Sequence, residues 1–196
     1  EDIPKDQEKR ILYQVGKELL QKNGYHEIGM DHFALPTDSL YHSFQNGQLH
    51  RNFMGYSSSK TQLMIGLGVS SISDSWYGFA QSEKNLDDYY QLLEWDKLPI
   101  FRGHLLTQED LIIRKHILNL MCQFETSWDT ADSYFPEIPE ILEQLSEMEN
   151  DGILIIKEKG LQVTDLGKAY VRNICMAFDL HLKRKAPETA LFSMTV

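Results

Sequence analysis

The chain has 196 residues, of which 42% are hydrophobic and 24% are charged, so a wholly disordered chain is excluded. Its formal net charge of −10 argues against a nucleic-acid-binding protein, because binding to phosphates needs clustered Lys and Arg. The only compact basic run, 183–185, is expected to be a solvated helix end, and no apolar stretch is long enough to cross a bilayer.

The first hundred residues show an alternation of helical and strand patterns. Apolar residues at helical spacing predict an amphipathic helix over 5–23, which Gly24 ends in a left-handed conformation. A short apolar run then predicts, over 26–36, a single strand that runs into a loop. A short helix is expected over 37–46, with Gly47 as its end.

Three further elements are predicted before residue 103. The apolar run 63–73 predicts a strand whose two glycines mark the close approach of another backbone or of a ligand. Residues 76–80 predict another strand, and residues 86–93 predict a helix. Because helices and strands alternate, we expect an α/β fold in this part of the chain.

The second half of the chain has a different sequence pattern, which predicts mostly helices. Its predicted elements are a helix that begins with a capping box at Thr107 and Asp110, a loop over 126–137, a helix from Pro139 to Glu149, a β-hairpin over 153–164 and a long final helix over 165–182. We expect two domains, 1–103 and 104–196, the second with a winged-helix-like layout. Because the chain starts at Glu1 and passes directly into a helix, we also expect it to be part of a longer protein.

Two short stretches contain side chains that could bind a ligand or take part in catalysis. Asp31 and His32 lie near the end of a predicted α/β strand, where ligands usually bind, although a strand end with satisfied polar groups is the alternative. Arg51 and Phe53 lie in a second stretch, 50–56. A guanidinium can bind a carboxylate through two hydrogen bonds and an aromatic ring can stack on a planar ligand, but a polar loop with buried aromatics fits as well.

Other kinds of site have no support in the sequence. We expect no metal site, because no H-x-x-x-H or H-E-x-x-H pair occurs. The phosphate-binding loop and the nucleophile elbow of hydrolases are absent as well. The two cysteines, Cys122 and Cys175, lie in apolar runs without metal-type spacing, so we expect buried thiols in a cytoplasmic protein.

Four segments, taken in order, form a specific pattern. They are Gly29–Ala34, Leu49–Tyr56, Gly66–Ser73 and a last segment that joins Val163-Thr164 to Arg172–Asp179. Together they resemble the bacterial oxygen-independent coproporphyrinogen III dehydrogenases, also called oxidases, of the radical S-adenosylmethionine superfamily. The resemblance covers essentially the whole chain and implies its C-terminal part.

The resemblance implies both a fold and an activity. Residues 1–103 would be the last part of a (β/α) partial barrel, and residues 104–196 the C-terminal domain of the family. In the intact enzyme a [4Fe–4S] cluster, held by C-x-x-x-C-x-x-C, cleaves S-adenosylmethionine to a radical. Two propionates of coproporphyrinogen III then become vinyl groups, giving protoporphyrinogen IX for haem synthesis. Because this chain has no C-x-x-x-C-x-x-C motif, we expect it to be inactive alone, with no catalytic residue of its own.

The resemblance also implies roles for single residues. Ile72 would contact S-adenosylmethionine, and Phe53 and Met54 would lie near a second S-adenosylmethionine. Many members have Gln at the position of Met54, so the amide contact is lost here. As substrate ligands we expect Arg51, paired with a propionate or a cofactor carboxylate, together with Asp31 and His32.

Two alternatives from other functional classes remain. The first is a haem-binding or haem-transfer protein, because a haem-chaperone branch exists in the same superfamily; that branch usually has H-N-x-x-Y-W where this chain has His50-Arg51-Asn52-Phe53. The second is a winged-helix regulator over 104–196, although Glu158 offsets its hairpin lysines. We expect no nucleic-acid or membrane partner, a monomeric parent, and some self-association of this chain through an open sheet edge.

Overall fold

The computed structural model describes residues 4–185. The helices are α1 (Asp6–Lys22), α2 (Ser39–Gln45), α3 (Leu86–Glu94), α4 (Gln108–Gln123), α5 (Ile138–Asn150), α6 (Val171–Phe178) and α7 (Leu180–Lys185), with a 3-10 helix over Leu166–Tyr170. The strands are β1 (His26–Gly29), β2 (His32–Ala34), β3 (His50–Asn52), β4 (Gly55–Ser57), β5 (Leu63–Met64), β6 (Ile72–Ser75), β7 (Gly78–Ser82), β8 (Ile100–Leu105), β9 (Glu125–Ser127), β10 (Leu154–Lys157) and β11 (Gly160–Val163). No helix within residues 4–185 combines the length and apolar character that crossing a bilayer requires.

The predicted first helix is confirmed as α1, and so is its end. Gly24 adopts φ +84°, the left-handed conformation that an L-residue with a side chain rarely accepts. The apolar stripe of α1 is exposed, because Ile11, Val15 and Leu19 each keep more than half of their surface accessible. This helix therefore contributes little to the core of the described chain.

The single strand predicted over 26–36 is wrong, because the segment is a hairpin. Strands β1 and β2 pair antiparallel, with Gly29 opposite His32, and Met30 and Asp31 form the turn between them. Asp31 has φ +57°, a left-handed conformation in which Asp and Asn are the commonest residues after Gly. Since Asp31 and His32 lie in and beside a tight turn, they do not end an α/β strand.

The strand predicted over 63–73 is also wrong. It divides into β5 and the start of β6, because Gly68 has φ +97° and Ser70 has φ +61°, which breaks the extended backbone between them. The strand predicted over 76–80 is shifted to β7, and Trp76 and Tyr77 form the turn before it. Strand β8 was not predicted.

Strands β5, β6, β7 and β8 form one sheet in that order, and every pair is antiparallel. The (β/α) partial barrel expected over 1–103 is therefore not formed by the described residues, whose strand pairs are all antiparallel. The two-residue turn between β6 and β7 can join only antiparallel neighbours. Strands β7 and β8 are antiparallel as well, although helix α3 lies in the connection between them. The mixed helix-and-strand class predicted for this region is confirmed.

The second half of the chain matches its prediction more closely. The capping box at α4 forms, the α5 helix begins with Pro139 in its first turn, and the hairpin is present as β10 and β11. Strand β9, predicted as loop, adds a third strand beside β11. The boundary near residue 103 falls within β8, and the division into two domains stays a prediction.

The long final helix predicted over 165–182 is interrupted. A 3-10 helix comes first, and Asp179, with φ −80° and ψ 85°, separates α6 from α7. Beyond this break Lys183 and Arg184 form ion pairs with Glu140 and Glu109, so they do not present a free basic patch.

The main core lies under the helical half. Its buried members come from α4, α5, α6 and the three-stranded sheet, and include Leu120, Ile141, Leu145, Leu154, Leu161, Ile174 and Phe178. Leu49, just before β3, joins the same cluster. The β3–β4 hairpin is thereby attached to the face of α4, which positions the cavity described next.

Candidate ligand-binding cavity

A cavity of about 670 Å³ lies where the β3–β4 hairpin, strands β6 and β7, and helices α4 and α6 meet. Its apolar wall consists of Phe53, Phe79, Leu106, Ile113, Ile117, Leu118, Met121 and Met176. Polar residues are about as numerous in the lining and most of them are ionisable, with Arg51, Asp74, Arg114 and Asp110 among them. Apolar atoms nevertheless form most of the cavity surface, which together with the cavity's size is typical of a small-molecule site.

Arg51 is the predicted site residue that the cavity explains best. It lies on β3 opposite Tyr56 of β4, with its guanidinium carbon 4.6 Å from the centre of the Tyr56 ring. Its Nη1 atom is buried and has no hydrogen-bond partner within residues 4–185. A buried N–H without an acceptor costs free energy, and the cost is larger for a charged group, so an anionic ligand would satisfy it.

Tyr56, whose ring lies against the Arg51 guanidinium, is held in place by two hydrogen bonds. Its hydroxyl donates a hydrogen bond to the carbonyl oxygen of Met121 at 2.8 Å and accepts one from the backbone N–H of Met30 at 3.0 Å. These bonds join both hairpins to α4. Burial raises the pKa of Tyr56, so the ring stays neutral and can stack on the guanidinium.

Phe53 and Met54 form the turn of the β3–β4 hairpin and differ in what they contact. Phe53 lines the cavity and packs its ring edge-to-face on Phe79, with the ring centres 5.1 Å apart. Met54 is 86% exposed, and its backbone N–H donates to the side chain of Asn52. Of the two, Phe53 belongs to the cavity wall, whereas Met54 faces solvent.

The other three predicted residues lie outside this cavity in the described chain. His32 places Nδ1 2.8 Å from the carbonyl oxygen of Met30 and packs against Tyr56, so it supports Arg51 indirectly. Asp31 lines a neighbouring cavity of about 530 Å³. Ile72 pairs with Gln81 in the sheet. Of the six predicted site residues, Arg51 and Phe53 line this cavity, and the binding roles of all six stay predictions.

The glycine at position 66 shows why the run 63–73 suggested a close approach. A Cβ built there would lie 2.7 Å from the carbonyl oxygen of Ile72. The partner is therefore the backbone of the same segment, which was the alternative to a ligand.

Sequence reasoning missed an ion pair in the cavity wall. Arg114 of α4 donates through Nη2 to both carboxylate oxygens of Asp74 on β6, at 2.8 and 3.1 Å. The guanidinium also packs over the rings of Trp76 and Phe79, each 4.9 Å away. Because the two residues are 40 positions apart in the sequence, no local pattern could have revealed the pair.

A second missed group joins two histidines to the predicted capping carboxylate. Asp110 Oδ1 lies 2.7 Å from His181 Nε2, and Asp110 Oδ2 lies 3.7 Å from His104 Nε2. Burial would raise the pKa of Asp110, but hydrogen bonds from the Thr107 backbone and hydroxyl and from His181 hold it below its usual value. Asp110 is therefore an ionised carboxylate in the cavity wall.

His116 is a buried polar residue with structural partners. His116 is fully buried, with Nδ1 2.7 Å from the Thr126 hydroxyl and Nε2 2.7 Å from the Ser133 carbonyl oxygen. Both cysteines are buried, as predicted, and burial raises the pKa of each thiol to about 12. The thiols are consequently protonated at neutral pH and are poor metal ligands.

Comparisons with known proteins give a consistent group of relatives. The oxygen-independent coproporphyrinogen III oxidase of Escherichia coli (strain K12) is 41% identical over 194 residues, which cover 94% of this chain and 42% of that protein. The protein of the same name from Synechocystis is 36% identical, over 99% of this chain and 43% of its own length. No protein-family model matches the chain.

One solved structure is similar as well. The coproporphyrinogen III oxidase (HemN) of Escherichia coli, described as a radical SAM enzyme, superposes with a TM-score of 0.86 at 38% identity and covers 92% of this chain and 43% of its own. The resemblance found in the sequence is thus confirmed. The chain spans about 42% of the length of the first relatives it matches.

Proposed function

We propose that this chain, a relative of the oxygen-independent coproporphyrinogen III oxidases, is the part of such an enzyme that forms one wall of its substrate site. The intact enzyme would convert two propionates of coproporphyrinogen III to vinyl groups. The support is the similarity over almost the whole chain together with a cavity suited to a large apolar ligand with acidic substituents.

The observation that carries this proposal is the unsatisfied guanidinium of Arg51. Coproporphyrinogen III is a tetrapyrrole macrocycle with four carboxylates. Arg offers donors that match a carboxylate in a fixed geometry. Arg51 presents a buried nitrogen without an acceptor among the described residues, next to the aromatic ring of Phe53. We propose that a propionate binds Arg51 while pyrrole rings contact the apolar wall.

The iron–sulfur cluster that the relatives imply does not fit this chain. Clusters of this type are held by cysteine thiolates, whereas Cys122 and Cys175 are buried, protonated and only two in number. We propose instead that the chain alone is inactive and that the cluster ligands belong to another part of the intact enzyme.

The cofactor contacts implied for Phe53, Met54 and Ile72 remain a proposal of the same kind. Phe53 lies at the cavity and Met54 is exposed beside it, so both are accessible to S-adenosylmethionine held by another part of the enzyme. Ile72 lies on β6, apart from that pair. Photo-crosslinking with an azido analogue of S-adenosylmethionine in the intact enzyme would mark the contacting residues, and labelling elsewhere would remove these assignments.

The test of the substrate role is the Arg51→Ala variant of the intact enzyme. Loss of a charge-assisted pair is expected to lower kcat/KM for coproporphyrinogen III by about tenfold to a hundredfold, which corresponds to about 1.5–3 kcal/mol. Arg51→Lys should recover part of the loss, because a point charge remains without the two-pronged geometry.

A matched control separates this effect from a general change in charge. Arg102→Ala removes one exposed guanidinium of β8 that lines neither of the two cavities and should leave kcat/KM unchanged. Equal activity in Arg51→Ala and Arg102→Ala would contradict the substrate role. A stoichiometric shift of the haem absorption band without S-adenosylmethionine cleavage would favour a haem-binding protein instead.

A further inference from the structure

Three ionisable side chains from distant parts of the sequence meet in the cavity wall. His104 comes from β8, Asp110 from the first turn of α4, and His181 from α7. One nitrogen of each imidazole and one oxygen of the carboxylate lie within 4.8 Å of one another. Among residues 4–185 this is the one group of three His, Cys, Asp or Glu side chains close enough to share an ion.

The arrangement exceeds what a helix cap requires. The cap is complete with Thr107, whose backbone N–H and hydroxyl both donate to Asp110 Oδ2 at 2.8 Å. Both imidazoles nevertheless direct Nε2 toward the same buried carboxylate, and their rings stand nearly perpendicular, 5.6 Å apart. One hydrogen bond explains His181, but His104 at 3.7 Å is beyond hydrogen-bonding distance.

We propose that His104, Asp110 and His181 form a binding site for a divalent transition-metal ion of the Zn²⁺ class. Two neutral imidazoles and one carboxylate are a ligand set that Zn²⁺, Co²⁺ and Fe²⁺ accept. In such a ligand set the carboxylate, here Asp110, supplies the one negative charge.

The distances allow the site to close with small movements. Bonds of about 2.0–2.1 Å to Zn²⁺ bring neighbouring ligand atoms to roughly 3.4 Å, so His104 must approach the carboxylate slightly and His181 must withdraw. Both imidazoles are about half exposed, at 51% and 49%, so they can rotate. The carboxylate is held in place by Thr107, which is the supporting shell that metal ligands usually have.

Competing groups nearby are already engaged. Glu109, the residue before the carboxylate ligand, forms two hydrogen bonds with Arg184, at 2.6 and 2.9 Å. Asp74 is held by Arg114 in the same wall. The buried thiols are protonated, so Zn²⁺ has no competing site on Cys122 or Cys175.

The open coordination positions would face the cavity, because all three ligands line it. Three protein ligands leave room for a water molecule or for a carboxylate oxygen of a ligand. If the function proposed above holds, a second propionate is such an oxygen, and this last step rests on that proposal. Metal binding itself can be measured without any porphyrin or activity.

The test is a calorimetric titration of the chelator-treated chain with Zn²⁺ alone, repeated with Co²⁺ and visible absorption. We expect one Zn²⁺ per chain and d–d bands of a low-coordinate Co²⁺ site. His104→Gln and His181→Gln should each weaken Zn²⁺ binding by about tenfold or more. Neither change touches the core, because both side chains are half exposed, and thermal unfolding of each variant checks that it is folded.

The matched control is His42→Gln, which removes an exposed imidazole on α2, away from the group. It should leave both the stoichiometry and the affinity unchanged. Zn²⁺ binding that is equally strong in folded His104→Gln and His181→Gln chains, or no binding by the native chain, would overturn the site. Neither result depends on coproporphyrinogen, so failure here is distinguishable from failure of the proposed function.

Discussion

Arg51 and Asp74 are two charged residues of the same cavity wall, and they differ in whether their polar atoms have hydrogen-bond partners. The carboxylate of Asp74 is paired through both oxygens, whereas Nη1 of Arg51 lacks an acceptor within the described chain. The first arrangement stabilises the fold, and the second is available to a ligand. A change at Asp74 should therefore affect stability, whereas a change at Arg51 should affect ligand binding.

Replacing Asp74 should destabilise the protein strongly. Asp74→Ala leaves the guanidinium of Arg114 largely buried without its partner, so we expect the free energy of unfolding to fall by about 3 kcal/mol. Urea unfolding measures it. The control, Asp165→Ala, removes a carboxylate that is 95% exposed, from a pair with Lys168, and should change stability by less than about 0.5 kcal/mol. Similar losses in the two variants would contradict the structural role of Asp74.

His116 should make stability depend on pH. Burial lowers its pKa below the usual 6.5, although the Ser133 carbonyl acts in the opposite direction. The unfolded chain therefore binds a proton near pH 6.5 that the folded chain does not bind, so this contribution is complete above pH 6.5 and is lost as pH falls. The slope is at most about 1.4 kcal/mol per pH unit.

Urea unfolding at about pH 7.5 and about pH 5.5 measures that loss. The native chain should lose more stability on acidification than His116→Gln, which cannot titrate at this position. His50, whose pKa burial also lowers, adds a loss of the same sign in both proteins. An equal pH dependence of the two proteins would show that His116 is not responsible.

At the residue scale, the sequence identified side chains with local signals and missed those without them. Arg51 and Phe53 were chosen because a guanidinium and aromatic rings share one short stretch, and both line the cavity. His104 and His181 gave no signal, because they meet only in the folded chain and Asp110 is 71 positions from His181. Long-range pairing of this kind depends on the tertiary fold.

At the scale of elements, helices were predicted well and tight turns were not. Helices α1, α4 and α5 follow from apolar spacing with capping residues or a first-turn Pro. The turns at Asp31 and Ser70 were missed, because both residues adopt a positive φ that is uncommon for their types. The apolar run 26–36 therefore resembled one strand in the sequence, whereas it forms a hairpin.

Gly29 tests how closely the two hairpins pack. A Cβ built at this position would lie 2.6 Å from the hydroxyl oxygen of Tyr56, so Gly29→Ala must displace the ring and its bonds to Met30 and Met121. We expect a loss of about 1–3 kcal/mol in urea unfolding. Gly16→Ala is the control within α1, where nothing lies within 4 Å, and should stabilise by about 0.5–1 kcal/mol. A neutral Gly29→Ala would contradict this packing.

At the scale of the whole molecule, two elements of the described chain expose apolar side chains. All six residues of β8 are exposed, and the apolar stripe of α1 is exposed as well. Large exposed apolar patches on a soluble protein usually mark an interaction surface. A chain that spans about 42% of its relatives' length can expose surface that the remainder of a longer protein would cover.

Self-association of the isolated chain is the consequence to measure. We expect sedimentation velocity to show larger species as the concentration rises. The double variant Ile11→Glu/Val15→Glu, which charges the α1 stripe, should shift the distribution toward monomer. Leu67→Glu charges an apolar residue that is 88% exposed outside this stripe and should have no such effect. A native chain that stays monomeric at every concentration would contradict the expectation.

Carboxylate binding in the Arg51 cavity can be measured on this chain directly. Its most direct measurement is a fluorescence titration of this chain with coproporphyrin III, the fluorescent oxidised form of the substrate, beside its tetramethyl ester. We expect the free acid to bind more tightly than the ester, and Arg51→Ala to weaken binding of the free acid alone, by about tenfold or more. Equal binding of acid and ester, or equal binding by the native chain and Arg51→Ala, would contradict this expectation.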